Sequence, residues 1–209
     1  MVSDENIDSS SLFEVLVAVV LSQNTSDKNA VKALIRLREA LGGKITPSAL
    51  LSASLEVVED SLKPAGMHRR RARVLKELAE YFSKPGFSEE LTSRITREGS
   101  VEKARELLVK LPGVGYKTAD VVLLRFFGKP VFPVDTHIAR ITNRLGFTSS
   151  RRYLDISRFW MENTSPSNYL DLHLYLITHG RRVCRARNPL CSKCVLRDIC
   201  SYTGRTRSA

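Results

Sequence analysis

The stretch Leu111-Pro112-Gly113-Val114-Gly115-Tyr116-Lys117-Thr118 decides how this chain is read. Pro112 fixes its own φ, while Gly113 and Gly115 can take positive φ. The segment therefore predicts a tight hairpin whose main-chain N–H groups approach an anion closely. Before it, Ser100 opens a run in which Val101, Ala104, Leu107 and Leu108 recur at helical spacing, an N-cap followed by a helix. After it, residues 116–127 are apolar nearly all round (Ala119, Val121, Val122, Leu123, Leu124, Phe126, Phe127), which predicts a buried second helix. Lys117 falls in the first turn of that helix. The positive end of the helix dipole and partial desolvation favour its neutral, nucleophilic amine. A surface lysine paired with phosphate is the plainer reading, and local sequence leaves both open.

A second segment follows at Val131-Phe132-Pro133-Val134-Asp135-Thr136-His137-Ile138-Ala139-Arg140. Asp135 precedes an amphipathic helix (Ile138, Ile141, Leu145) that stops at Gly146, so on its own it reads as an N-cap. All four cysteines, Cys184, Cys191, Cys194 and Cys200, lie close to the C-terminus with the spacing C-x6-C-x2-C-x5-C. That array is too compact and regular for buried packing and points to metal ligation. Disulfides are disfavoured because the apolar run at residues 12–21 follows acidic Asp4, Glu5 and Asp8, not a basic secretory n-region. Four thiolates suit tetrahedral zinc as well as a cubane cluster. A single C-x2-C knuckle leans towards iron–sulfur, though the spacing is not a ferredoxin pattern.

The remaining sequence agrees with a polyanionic partner. The 209 residues carry a net charge of +11, the pI is near 9.8, and Arg69, Arg70, Arg71 and Arg73 form a second basic group beside Arg181, Arg182, Arg185 and Arg187. With 43% hydrophobic residues there is enough apolar content for a core. No transmembrane stretch or long repeat is visible, which predicts a soluble intracellular protein without a membrane partner. Further helices are expected at residues 12–23, from Ser26 or Asp27 to Gly42-Gly43, after Thr46-Pro47, after Ser54, at 68–82, 88–97, 150–163 and 167–179. No segment alternates with period two over strand length, so the predicted fold class is all-α.

The hairpin with Lys117, the Val134-Asp135-Thr136-His137 segment and the cysteine array, in that order, resemble the endonuclease III family of base-excision DNA glycosylases with lyase activity. The resemblance runs over residues 12–202. It implies a two-lobed helix-hairpin-helix fold in which a polar lead (1–10) precedes a six-helix lobe (11–129) and a helical lobe with the cluster (130–209), with DNA across the cleft between the lobes. It implies that Lys117 attacks C1′ of the damaged nucleotide and Asp135 assists, and that Cys184, Cys191, Cys194 and Cys200 hold a [4Fe-4S] cluster. The partner would be double-stranded DNA with a damaged base or abasic site, and the expected state is a monomer working with DNA.

The same resemblance makes Gln23 the residue that fills the gap left by a flipped base and Met67 the apolar wedge on the opposite strand. Read alone, Gln23 is the polar end of a helix and Met67 a core filler. Gly113, Val114 and Gly115 would contact phosphate, as would Arg140, Arg185 and Arg187; His137 reads either as a contact or as a capping or packing histidine. The implied activity is bifunctional excision of oxidised pyrimidines. A monofunctional mismatch or adenine glycosylase, or a non-catalytic DNA-binding module, is the alternative. The chain departs from the family pattern in three places. Only about ten polar residues precede Leu12, where a further helix is usual; residues 81–100 are longer than expected; and Tyr116 stands where a basic residue is common.

Overall fold

The computed structural model describes residue 8 and residues 10–202. Most of the polar lead at residues 1–10 lies outside the described residues. Among those described there is no strand, and the chain divides into two compact units, Met1–Phe127 and Gly128–Ala209. The division comes slightly earlier than 129/130, at Gly128 with φ +61°. Val131, Phe132 and Val134 are buried and begin the second unit's core.

The first unit runs α1 (Leu12–Ser22), α2 (Asp27–Ala40), α3 (Pro47–Ser52), α4 (Leu55–Leu62), α5 (His68–Phe82), α6 (Phe87–Arg97), α7 (Val101–Val109) and α8 (Tyr116–Arg125). Side-chain oxygens of Ser11, Ser26, Thr46, Ser54 and Ser100 each accept an N–H of the following first turn. Each such cap contributes about 1 kcal/mol and explains why these helices start where the sequence says. α1 is apolar on most sides, with Leu16, Val17 and Leu21 fully covered, because α2, α5, α6 and α8 all pack against it. Its one buried carboxylate, Glu14, is paired with Arg38 of α2.

Residues 81–100 acquire a structural account. Phe87 sits edge-on to Tyr81 and Phe82, Phe82 stacks at a tilt on Phe13, and Leu91 and Ile95 are buried, so α6 closes one side of the core. α8 is less uniformly apolar than expected. Asp120 is fully buried in it and is held by the Arg105 Nε of α7 at 2.6 Å, a pair that ties the two hairpin helices together.

The second unit contains α9 (Thr136–Leu145), α10 (Tyr153–Asn163) and α11 (Tyr169–Arg182), followed by short 3-10 turns. α10 begins later than residue 150, because Ser150 instead anchors the preceding turn through Asp155 at 2.6 Å. α11 runs on past His179 to Arg182. The core is built around Phe132, which stacks on Trp160 at 5.5 Å and meets Tyr169 edge-on at 5.6 Å. The Trp160 indole N–H donates to Thr142 at 2.9 Å, so the ring is buried with its polar atom satisfied.

Candidate functional site

In the hairpin, Gly113 takes φ +73°, and a Cβ there would lie 2.4 Å from Cγ1 of Val74 on α5. The turn is therefore pressed onto the core and needs glycine for two reasons, backbone conformation and space. Gly115 differs from the sequence expectation. Its φ is −94° and it serves as the N-cap of α8 without a side chain to cap the first turn. That uncapped first turn is the kind of helix end that binds anions through N–H groups. The Val114 side chain is buried and anchors the hairpin, so any contact it makes with phosphate comes from its main chain. Lys117, half-buried, lies in this first turn.

Gln23 follows α1 and reaches the same hairpin: its Nε2 donates to the Gly113 carbonyl at 2.9 Å and to Thr118 Oγ1 at 3.0 Å. Met67 is no core filler. It is 49% exposed, in a left-handed conformation with φ +48°, just ahead of α5. Gln23, Asn24, Met67, Arg70, Arg71 and Gly113 are among the residues around a cleft of about 460 Å³ within this unit.

The basic group on α5 is not uniform. Arg69, Arg70 and Arg73 are exposed, but Arg71 is 4% exposed and points inward. Burial lowers its pKa below the ordinary arginine value. Sequence reasoning missed it, although a signal existed: Arg71 falls in helical register with Leu75, Leu78 and Phe82, on the apolar face of α5. Asp120, a carboxylate set among the buried residues Ala119, Val121 and Val122 of α8, was a similar signal of a buried partner.

In the second unit Asp135 is the N-cap of α9. Its Oδ1 accepts the Ile138 N–H at 2.8 Å, which leaves Oδ2 outside the cap. His137 packs on Gly180 of α11, where a Cβ would lie 2.6 Å from the His137 Cβ, and its Nδ1 is 3.0 Å from Arg140. The packing reading of His137 is thus the one that the geometry favours. Arg140 also has partners within the protein: its guanidinium donates to the carbonyls of Cys184 at 2.8 Å and Gly180 at 3.0 Å, so it is a strut between α9 and the cysteine loop.

Arg144, which sequence reasoning overlooked, braces the same loop. It donates to Cys184 Sγ at 3.4 Å, to the Arg185 carbonyl at 2.7 Å and to the Ala186 carbonyl at 3.1 Å, with its guanidinium over the Tyr202 ring. Arg185 and Arg187 are exposed on the loop that these bonds shape.

None of the four cysteines forms a disulfide, and Cys184, Cys191 and Cys200 all lie close enough to Cys194 to act on its charge. Burial pushes the Cys194 thiol up; a bond from the Leu196 N–H opposes this, and the charges of Cys184, Cys200 and Cys191 add to the rise. Four thiolates in one short segment are a ligand set that an iron–sulfur cluster and zinc both accept. The Arg144 donor at Cys184 and His179 Nε2, 3.6 Å from Cys194 Sγ, also suit charged cluster thiolates. The donor set therefore fits an iron–sulfur cluster.

Comparison with known proteins agrees with this geometry. Residues 17–166 match the model of the HhH-GPD superfamily of base excision DNA repair proteins, and residues 184–200 match the iron–sulfur binding domain of endonuclease III. The endonuclease III of Sulfolobus acidocaldarius is 40% identical, with 91% of this chain and 82% of that protein covered. The Thermotoga maritima enzyme is 36% identical, covering 91% and 83%. Among solved structures, a trapped endonuclease III–DNA covalent intermediate superposes with a TM-score of 0.78 at 31% identity, covering 94% of this chain and 86% of that one. No helix among the described residues is long and apolar enough to cross a membrane.

Proposed function

This chain belongs to the endonuclease III family of HhH-GPD base excision DNA repair proteins, and from that membership we propose that it excises oxidised or ring-fragmented pyrimidines from duplex DNA and then nicks the strand. It is a DNA glycosylase with abasic-site lyase activity that carries a [4Fe-4S] cluster. The observation that carries the residue assignment is Lys117 in the first turn of α8, directly after a hairpin that packs tightly enough to exclude a Cβ at Gly113. Duplex DNA is the partner, reached through the hairpin amides and the exposed Arg185 and Arg187.

The chemistry needs an amine and a carboxylate. Lys117 Nζ attacks C1′ of the damaged nucleotide, the C1′–N bond breaks, and the base leaves with the electron pair and takes up a proton. Asp135 stabilises the cationic sugar and receives a proton from the incoming amine through the oxygen that its capping bond does not use. Opening of the sugar gives a Schiff base at C1′. Loss of a C2′ proton then expels the phosphate on the 3′ side by β-elimination, and water frees Lys117. When bound, the cluster fastens Cys184, Cys191, Cys194 and Cys200 into one rigid loop that presents Arg185 and Arg187. The capping role of Asp135 fixes its carboxylate through the backbone of α9, which is a second reason for an aspartate at this position.

Borohydride trapping tests the reading, with duplexes carrying one thymine glycol or one abasic site. A covalent band from the wild type that is lost in Lys117→Ala and weakened in Asp135→Asn is expected on both duplexes. Trapping on the abasic site alone would reject the oxidised-pyrimidine substrate. A released base with no trapped adduct would reject the lysine mechanism.

A further inference from the structure

Arg71 donates to four main-chain carbonyls. Its Nε binds the Gly66 carbonyl at 2.9 Å, Nη1 the Val20 carbonyl at 2.5 Å, and Nη2 the carbonyls of Gln23 and, at 3.5 Å, Ala65. No carboxylate offsets the charge among these partners. Burying an unpaired guanidinium carries a desolvation penalty, and helix carbonyls at the end of α1 could have been satisfied by water at this edge of the fold. The geometry therefore asks what the cation does that water would not.

The answer lies in which carbonyls it takes. The Gln23 carbonyl belongs to the peptide plane that leads into Asn24, and the Gly66 carbonyl to the plane that leads into Met67. Asn24 at φ +50° and Met67 at φ +48° are two of the three non-glycine residues with positive φ among those described. One planar fork thus orients the planes entering both strained residues, and a rigid guanidinium does this where a lysine, a point charge on a flexible stem, does not. The two loops that it joins carry Gln23 and the exposed Met67, at the rim of the same cleft.

We propose that Arg71 is a positioning residue that locks the Gln23 loop and the Met67 loop into one body, so that both side chains enter the duplex in a fixed register when a nucleotide is flipped. The inference rests on the glycosylase reading above. Extruding a base means paying to unstack it, and two fillers held together by the protein arrive preorganised at both strands. An already unstacked nucleotide does not need them.

The test compares wild type, Arg71→Lys and Arg71→Met in single-turnover reactions on two substrates, a thymine glycol in a matched duplex and an abasic site in a single-stranded oligonucleotide. Melting curves accompany each variant. In folded Arg71→Lys, excision from the duplex is expected to fall about 10-fold or more, while lyase activity on the single strand stays within about 2-fold of wild type. Equal losses on both substrates, or no loss on the duplex, would overturn the proposal. Should neither Arg71 variant fold, the coupling is read in the wild-type background from Gln23→Ala, Met67→Ala and the double variant. Non-additive effects on duplex excision support one joined body, and additive effects overturn it. A wild type that neither excises thymine glycol from the duplex nor cleaves the single strand at its abasic site overturns the glycosylase reading itself, which separates that failure from the failure of Arg71.

Discussion

Gly113→Ala isolates the hairpin's requirement for glycine. An L-residue at φ +73° has its Cβ close to a carbonyl oxygen, which costs about 1 kcal/mol. The added methyl also meets Val74 Cγ1 at 2.4 Å, and Val74 is half-buried on a packed helix. Relief requires a shift of the hairpin or of the valine, with an overpacking cost of about 1–3 kcal/mol. The sum, about 2–4 kcal/mol, lowers the melting temperature by roughly 5–15 °C for a protein of this size. Gly115→Ala is the built-in comparison. With φ −94° and nothing within 4 Å of a Cβ, it loses only the small advantage of glycine over alanine at an N-cap, about 0.5 kcal/mol. Thermal unfolding followed by far-ultraviolet circular dichroism reads stability, and fluorescence anisotropy on a duplex with an abasic-site analogue reads affinity. Gly113→Ala should lose both, because the shifted hairpin no longer presents its amides. Equal melting temperatures for the two alanine variants would refute the reasoning.

Asp120→Asn leaves the Arg105 charge buried without its carboxylate, and urea denaturation should show a loss of about 3–5 kcal/mol. Arg144→Gln removes the donors to Cys184 Sγ, Arg185 and Ala186; visible absorbance of the iron–sulfur cluster should then bleach faster under an iron chelator, with α-helical content unchanged. Arg185→Ala and Arg187→Ala should each weaken binding to all duplex sequences and reduce the slope of log K against log salt by about 1. Arg140→Ala, by contrast, should leave that slope unchanged while loosening the cysteine loop, because its guanidinium serves protein carbonyls.

Much of this molecule was legible before any coordinates. Ser11, Ser26, Thr46, Ser54, Ser100 and Asp135 all cap helices by accepting an N–H three residues on, and such bonds act within one turn of chain. The cysteine spacing announced a metal centre for the same reason, since all four ligands lie in residues 184–200. The order of hairpin, Asp135 segment and cysteine array carried the family.

What the linear pattern left undecided was the task of each charged and flexible residue, because partners lie far away along the chain. Arg71 looked like one more surface arginine until its bond to Val20, 51 residues distant, showed it to be buried. Arg140 was expected at phosphate and Arg144 drew no expectation; the partners of both lie in the loop around Cys184, some 40 residues on. Gly113 and Gly115 were equivalent in sequence; only the approach of Val74 made one indispensable in shape and the other replaceable. Caps, periodicity and ligand spacing are local physics and are written within a few residues. Burial of a charge and the register of two loops depend on which surfaces meet, and that was decided by the packed fold.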